Sequence, residues 1–153
     1  MFIFGKKVVT ASISGTIYAL VLGFIVPYPF GRDFDTSPYW MAAITVIPVY
    51  LMYSFPAILF YGVITSWLSD KAAEMIAKKS RNMKLEPILS AVLHLAFGLI
   101  LLWYSLAASI LFFIVDRILK RIERDFWWDA AIKSFALPMA LWVLTASVVW
   151  WNG

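Results

Sequence analysis

His94 is the only imidazole in the chain, and it lies within an uncharged apolar stretch, where an ionisable group is a site hypothesis by default. The chemistry it offers is proton handling near neutral pH. No second histidine, aspartate or glutamate lies within such a stretch to complete a relay or a metal site. The competing reading is a neutral ring that bonds to polar neighbours. Tyr50, Ser54, Tyr61 and Thr65 fall within a sector of roughly 60° at 100° per residue on one helix. Such a hydroxyl stripe either lines a polar path or hydrogen-bonds between helices. Asp129 and Lys133, acid first at i to i+4, read most simply as an ion pair on a helix surface.

Catalytic inventories are absent from the sequence. There is no GxSxG elbow, no HExxH, no phosphate loop and no run of histidines and carboxylates, so nothing names a reaction. The expectation is a protein that is not an enzyme and takes no cofactor. With no cysteine, disulfides, thiol catalysis and Cys-based metal sites are ruled out. The formal net charge is +4, but no aromatic platform is interleaved with the basic residues as nucleic-acid binding would need. Anionic lipid headgroups are the expected counterpart instead.

These side chains must be positioned by a set of apolar elements. Apolar residues make up 63% of the 153 residues and charged residues 14%, with a mean hydropathy of +0.83, whereas soluble domains carry about 25% charged residues. Uncharged stretches at 8–26, 40–68, 88–115 and 134–151 hold most of the chain, each near or above the ~20 residues that cross a bilayer as helix. The fold class expected is all-α: a single polytopic membrane domain over 1–153, a bundle of four transmembrane helices with spans at about 8–26, 40–68, 88–115 and 130–151. Residues 8–26 follow Lys6 and Lys7 and lack a small-x-small cleavage pattern, so they read as a retained first span. Trp127 and Trp128, and Trp150 and Trp151, bracket the last span as interface anchors.

The linkers differ in kind. Residues 27–39 hold three prolines, a glycine, Arg32, Asp33 and Asp35; residues 69–86 are basic; residues 116–133 contain neither Gly nor Pro. In the last, Ile118, Ile122 and Phe126 recur every four residues among charges, which predicts an amphipathic interfacial extension after the third span. With the N-terminus cytoplasmic, seven Lys and Arg flank the inner side (Lys6, Lys7, Lys71, Lys78, Lys79, Arg81, Lys84). Six flank the outer (Arg32, Arg117, Lys120, Arg121, Arg124, Lys133). That near-tie is an objection to simple threading, with a non-crossing third stretch as one way out.

Each stretch has one small or polar face. Ala11, Gly15, Ala19 and Gly23 recur every four residues in the first, a spacing that lets helix backbones approach closely. Ser90, His94, Gly98, Ser105, Ala108 and Ser109, continued by Asp116, share a side of the third. Ala136, Ala140 and Ser147 align with Asp129 and Lys133 in the fourth. Pro48 and Pro56 predict kinks in the second.

The exit of the second stretch, Phe60-Tyr61-Gly62-Val63 followed by Ser66-Trp67-Leu68-Ser69-Asp70, with a basic loop and two further stretches after it, resembles the small uncharacterised four-span membrane proteins of Bacillus-type bacteria. That resemblance implies a bacterial cell-membrane protein and transfers no site residue. Two functions are expected. The first is a non-catalytic protein that packs its helices on a membrane partner or a second copy, in an accessory, immunity or envelope role. The alternative is a small transporter or channel lined by His94, Tyr50, Ser54, Tyr61 and Thr65. The small multidrug transporters also use four spans, but with a membrane-embedded carboxylate that no stretch here contains.

Overall fold

The computed structural model describes residues 2–32, 37–99, 102–122 and 127–152. Asp33 and Asp35 of the first linker, and Glu123, Arg124 and Phe126 of the third, lie outside the described residues. What is described is almost wholly helical: α1 (Phe2–Ile25), α2 (Tyr39–Ala57), α3 (Val63–Lys79), α4 (Glu86–Leu99), α5 (Leu102–Arg121), α6 (Trp128–Ser134) and α7 (Ala136–Asn152). A π turn over Ile58–Gly62 joins α2 to α3 into one continuous helix. It begins two residues after Pro56, whose missing N–H and bulky ring disturb the regular ladder, so the helix changes register rather than breaking.

Three stretches are long and apolar enough to cross a membrane: Phe4–Ile25, Tyr39–Lys79 and Trp128–Trp151. The first two run antiparallel. Gly15 meets Phe55 and Gly23 meets Ile47 and the Ala43 carbonyl, while Lys7 reaches Ser66 and Asp70 at the far end of the pair. A Cβ on Gly23 would lie 2.5 Å from Ile47 Cγ1, so the glycine permits this approach. Ala11 and Ala19 are likewise buried. The small stripe of α1 is therefore consumed inside the molecule and presents nothing to an outside partner.

The stretch 88–115, expected as one span, is two helices packed against each other. Contacts between α4 and α5 advance in opposite directions along them: Glu86 approaches Arg117, the Ser109 hydroxyl donates to the His94 carbonyl at 2.7 Å, and Gly98 abuts Leu106 and Ser109. The two form an antiparallel hairpin. The reason lies in the residues assigned to one face of a single helix. Ser90, His94 and Gly98 on α4 and Ser105, Ala108 and Ser109 on α5 are the two facing surfaces of the hairpin, small enough for backbones to close on each other. Beyond it α5 runs on to Arg121, but its buried face is Val115, Asp116 and Leu119, whereas Ile118 and Ile122 are exposed.

The last stretch is interrupted at Phe135, between α6 and α7. Pro138 cannot donate to the Ser134 carbonyl, and the Phe135 amide turns to Ile132 instead. Past this point α7 packs through Pro138 and Thr145, and most of its other side chains are exposed. Ala136, Ala140 and Ser147, expected on its inward face, are exposed.

Candidate functional site

The hairpin is anchored to α1 and α3 by a buried cluster of charges. Lys7 is 1% exposed and Asp116 fully buried. An ammonium has three protons to place, and Lys7 Nζ donates to Ser66 Oγ at 2.6 Å, Asp70 Oδ2 at 2.6 Å and Asp116 Oδ1 at 2.8 Å. Asp70 also accepts from Lys120 Nζ at 2.8 Å and from Ser90 Oγ at 2.7 Å. Lys120 approaches Asp116 at 3.2 Å, and Arg117 lies 3.7 Å from Glu86 and 3.8 Å from Asp70. Three cations face three carboxylates. Taking charges from water is costly unless they are paired; here the pairing crosses four helices, although Asp116 Oδ2 and Arg117 Nε and Nη2 are buried without a hydrogen bond.

Sequence reasoning missed this cluster because each member lies at the margin of an apolar stretch, where a charge reads as a loop residue. A signal was present. Ser66 and Asp70 are one helical turn apart on α3, and Asp116 continues the polar side of the third stretch.

Above the cluster, between the hairpin and α1, the π turn and α3, lies a cavity of about 240 Å³. Tyr61, Thr65 and His94 line it together with Tyr18, Gly98, Ser109 and Phe112. Tyr50 and Ser54 do not. The Tyr50 hydroxyl donates to the Val26 carbonyl, near the opposite end of α1, and Ser54 bonds back to Tyr50 in its own helix. Within the cavity wall, the hydroxyls of Tyr18, Tyr61, Thr65 and Ser109 donate to the carbonyls of Tyr104, Phe97, Tyr61 and His94. These four hydroxyl protons are thus committed to backbone, and the side chains of Tyr104 and Ser105 line the cavity as well.

His94 is buried at 4% exposure, between Phe112 and Phe113, whose ring centroids lie 6.4 and 5.3 Å away. Its Nδ1 is 2.8 Å from the Ser90 carbonyl oxygen, and its Nε2 has no hydrogen-bond partner. Arg117 stacks over Phe113 at 5.0 Å, so one ring touches both the charge cluster and His94. Ser90 touches both systems, through its carbonyl to His94 and its hydroxyl to Asp70. A carbonyl oxygen carries no proton, so this link fixes the ring and is not a proton wire. Among the described residues no group of three His, Cys, Asp or Glu side chains is arranged to hold a metal ion.

Asp129 and Lys133 form an exposed pair at 3.5 Å on α6. Comparison with family models, curated proteins and solved structures finds no match.

Proposed function

We propose that this chain is a non-catalytic integral protein of the cell membrane that acts by docking its last helix on a partner within the bilayer. The observation that carries the reading is the outward face of α7. Ala136, Ala140 and Ser147 are exposed there, a small-residue surface of the kind on which transmembrane helices meet closely. The equivalent stripe on α1 is already filled, so the docking surface is α7.

The charge distribution supports a membrane topology of three crossings and one hairpin that enters and leaves on the same side. Among the described residues, Lys6, Lys7, Lys71, Lys78, Lys79, Arg81, Lys84, Arg117, Lys120, Arg121 and Lys133 gather towards the end where α1 begins, and Arg32 is at the other. Returning α5 to its starting side converts the near-tie into a strong asymmetry, which favours a cytoplasmic N-terminus and a C-terminus across the membrane. The hairpin's reach fits: 14 residues of α4 rise about 21 Å, short of a ~30 Å hydrocarbon core. Arg81 and the lysines of the segment that leads into α4 then meet anionic headgroups.

A transporter or channel draws support from Tyr61, Thr65 and His94 sharing a cavity. It is the weaker reading, because the hydroxyl protons of Tyr61 and Thr65 are committed to backbone and Tyr50 and Ser54 stand apart. Docking is tested by placing a photo-crosslinkable residue at Ala140 in the native membrane, with Met52, exposed on α2, as the comparison. The proposal expects a discrete protein adduct, a second copy or another chain, from position 140 and only lipid adducts from 52, with Ala136→Leu weakening the former. Indistinguishable adduct patterns from the two positions would remove the docking surface.

A further inference from the structure

We propose that a second cavity, between α3, the entry to α4 and the end of α5, binds the head of a phosphatidylethanolamine-type lipid, its ammonium on Glu86 and its phosphate on Lys71 and Lys120. The cavity measures about 330 Å³. Trp67, Asp70, Lys71 and Glu74 supply one wall, since residues three and four apart share a face of a helix. Met83, Glu86 and Lys120 line the rest. Along α3, Ile64 and Leu68 are exposed, and within one further turn the exposed side chains include Lys71 and then Lys78, so the cavity sits where the outer surface changes from apolar to charged. In a membrane that is headgroup level. This level is taken from the topology proposed above and rests on it, whereas α7 plays no part.

The choice of head follows from which groups still have bonds to make. Both oxygens of Asp70 already accept, one from Ser90 and the other from Lys7 and Lys120. Glu74 holds Lys71 and Lys78. Glu86 differs, because its Arg117 partner lies 3.7 Å away, beyond a direct hydrogen bond, and its side chain is 29% exposed. A carboxylate with acceptor sites to offer calls for an N–H donor. An ammonium carries three protons, and Lys71 and Lys120 each place one in a hydrogen bond, to Glu74 and Asp70. Their other protons suit phosphate oxygens. Asp70, Glu74 and Glu86 against Lys71 and Lys120 leave the lining with an excess of negative charge, which disfavours a purely anionic head, and a quaternary ammonium has no proton for Glu86. A phosphate beside a primary ammonium meets both requirements. By the ratio of benzene to its ~150 Å³ site, about 330 Å³ admits roughly thirteen non-hydrogen atoms, enough for this head and part of its glycerol. Trp67, stacked on Phe4 at 5.9 Å, gives the glycerol an apolar wall.

The probes are phosphatidylethanolamine, phosphatidylcholine and phosphatidylglycerol with the same acyl chains, offered in equal amounts to the intact purified chain in detergent micelles, with the retained lipid read by native mass spectrometry. Phosphatidylethanolamine should be retained about fivefold over each of the others, the ratio that one net hydrogen bond gives. In Glu86→Gln, with its thermal midpoint retained, the preference over phosphatidylcholine should fall towards one. In Lys71→Gln all three lipids should be retained less, with the preference kept. Equal retention by the wild type, or a preference for phosphatidylglycerol, overturns the proposal, and because neither result needs a variant each decides even if Glu86→Gln fails to fold. Displacement of the lipid by an equal concentration of water-soluble phosphoethanolamine overturns the lipid as ligand. A chain released from cell membranes by alkaline carbonate would fail the topology itself, whereas one that stays embedded and shows no preference fails this proposal alone.

Discussion

Lys7 holds together parts of the chain more than 100 residues apart, contacting Ser66, Asp70 and Asp116 at once. Removing one member of a buried ion cluster strands the others, a change worth about 3–5 kcal/mol, whereas an exposed pair contributes about 1 kcal/mol or less. Lys7→Met should therefore lower the midpoint of unfolding by mixed detergent titration sharply, and Lys133→Ala, which breaks the exposed pair with Asp129, should leave it nearly unmoved. Similar midpoints for the two variants would mean the cluster does not carry the fold. The sequence showed the charges of this cluster but not their burial. Lys7 stands next to Lys6 and Asp70 next to Lys71, and neighbours of such equal appearance are separated only by which side of a helix faces another.

At the scale of elements, α1 was the most readable helix, since a glycine or alanine at every fourth residue has one simple physical use, close packing. The hairpin was not readable for the converse reason. Small residues on one side of a continuous apolar run are compatible with one long helix facing a neighbour and with two short helices facing each other, and length favours the former. Gly98 tests the arrangement. A Cβ there would lie 2.7 Å from Ser109 Cβ and 3.3 Å from the Leu106 Cα, neither of which is the free end of a flexible side chain. Gly98→Ala should cost about 1–3 kcal/mol by overpacking, and Ala96→Leu, on the exposed side of α4, almost nothing. A harmless Gly98→Ala, read by the same detergent titration, would argue that the two helices do not close as described.

The whole molecule is organised by where the hairpin returns. If 88–115 crossed as one span, Arg117 and Lys120 would be separated from Asp70 by the thickness of the molecule, yet they lie 3.8 and 2.8 Å from it. The cluster, the segregation of basic residues and the cavity all depend on that return. Because the chain has no cysteine, the return can be read with single thiols at exposed positions: Phe30→Cys, Lys84→Cys, Arg121→Cys and Trp151→Cys, probed in intact cells with a membrane-impermeant maleimide. The account predicts labelling at 30 and 151 and protection at 84 and 121 until the membrane is permeabilised. Labelling at 121 together with 30, with 84 and 151 protected, would contradict it and restore four simple crossings.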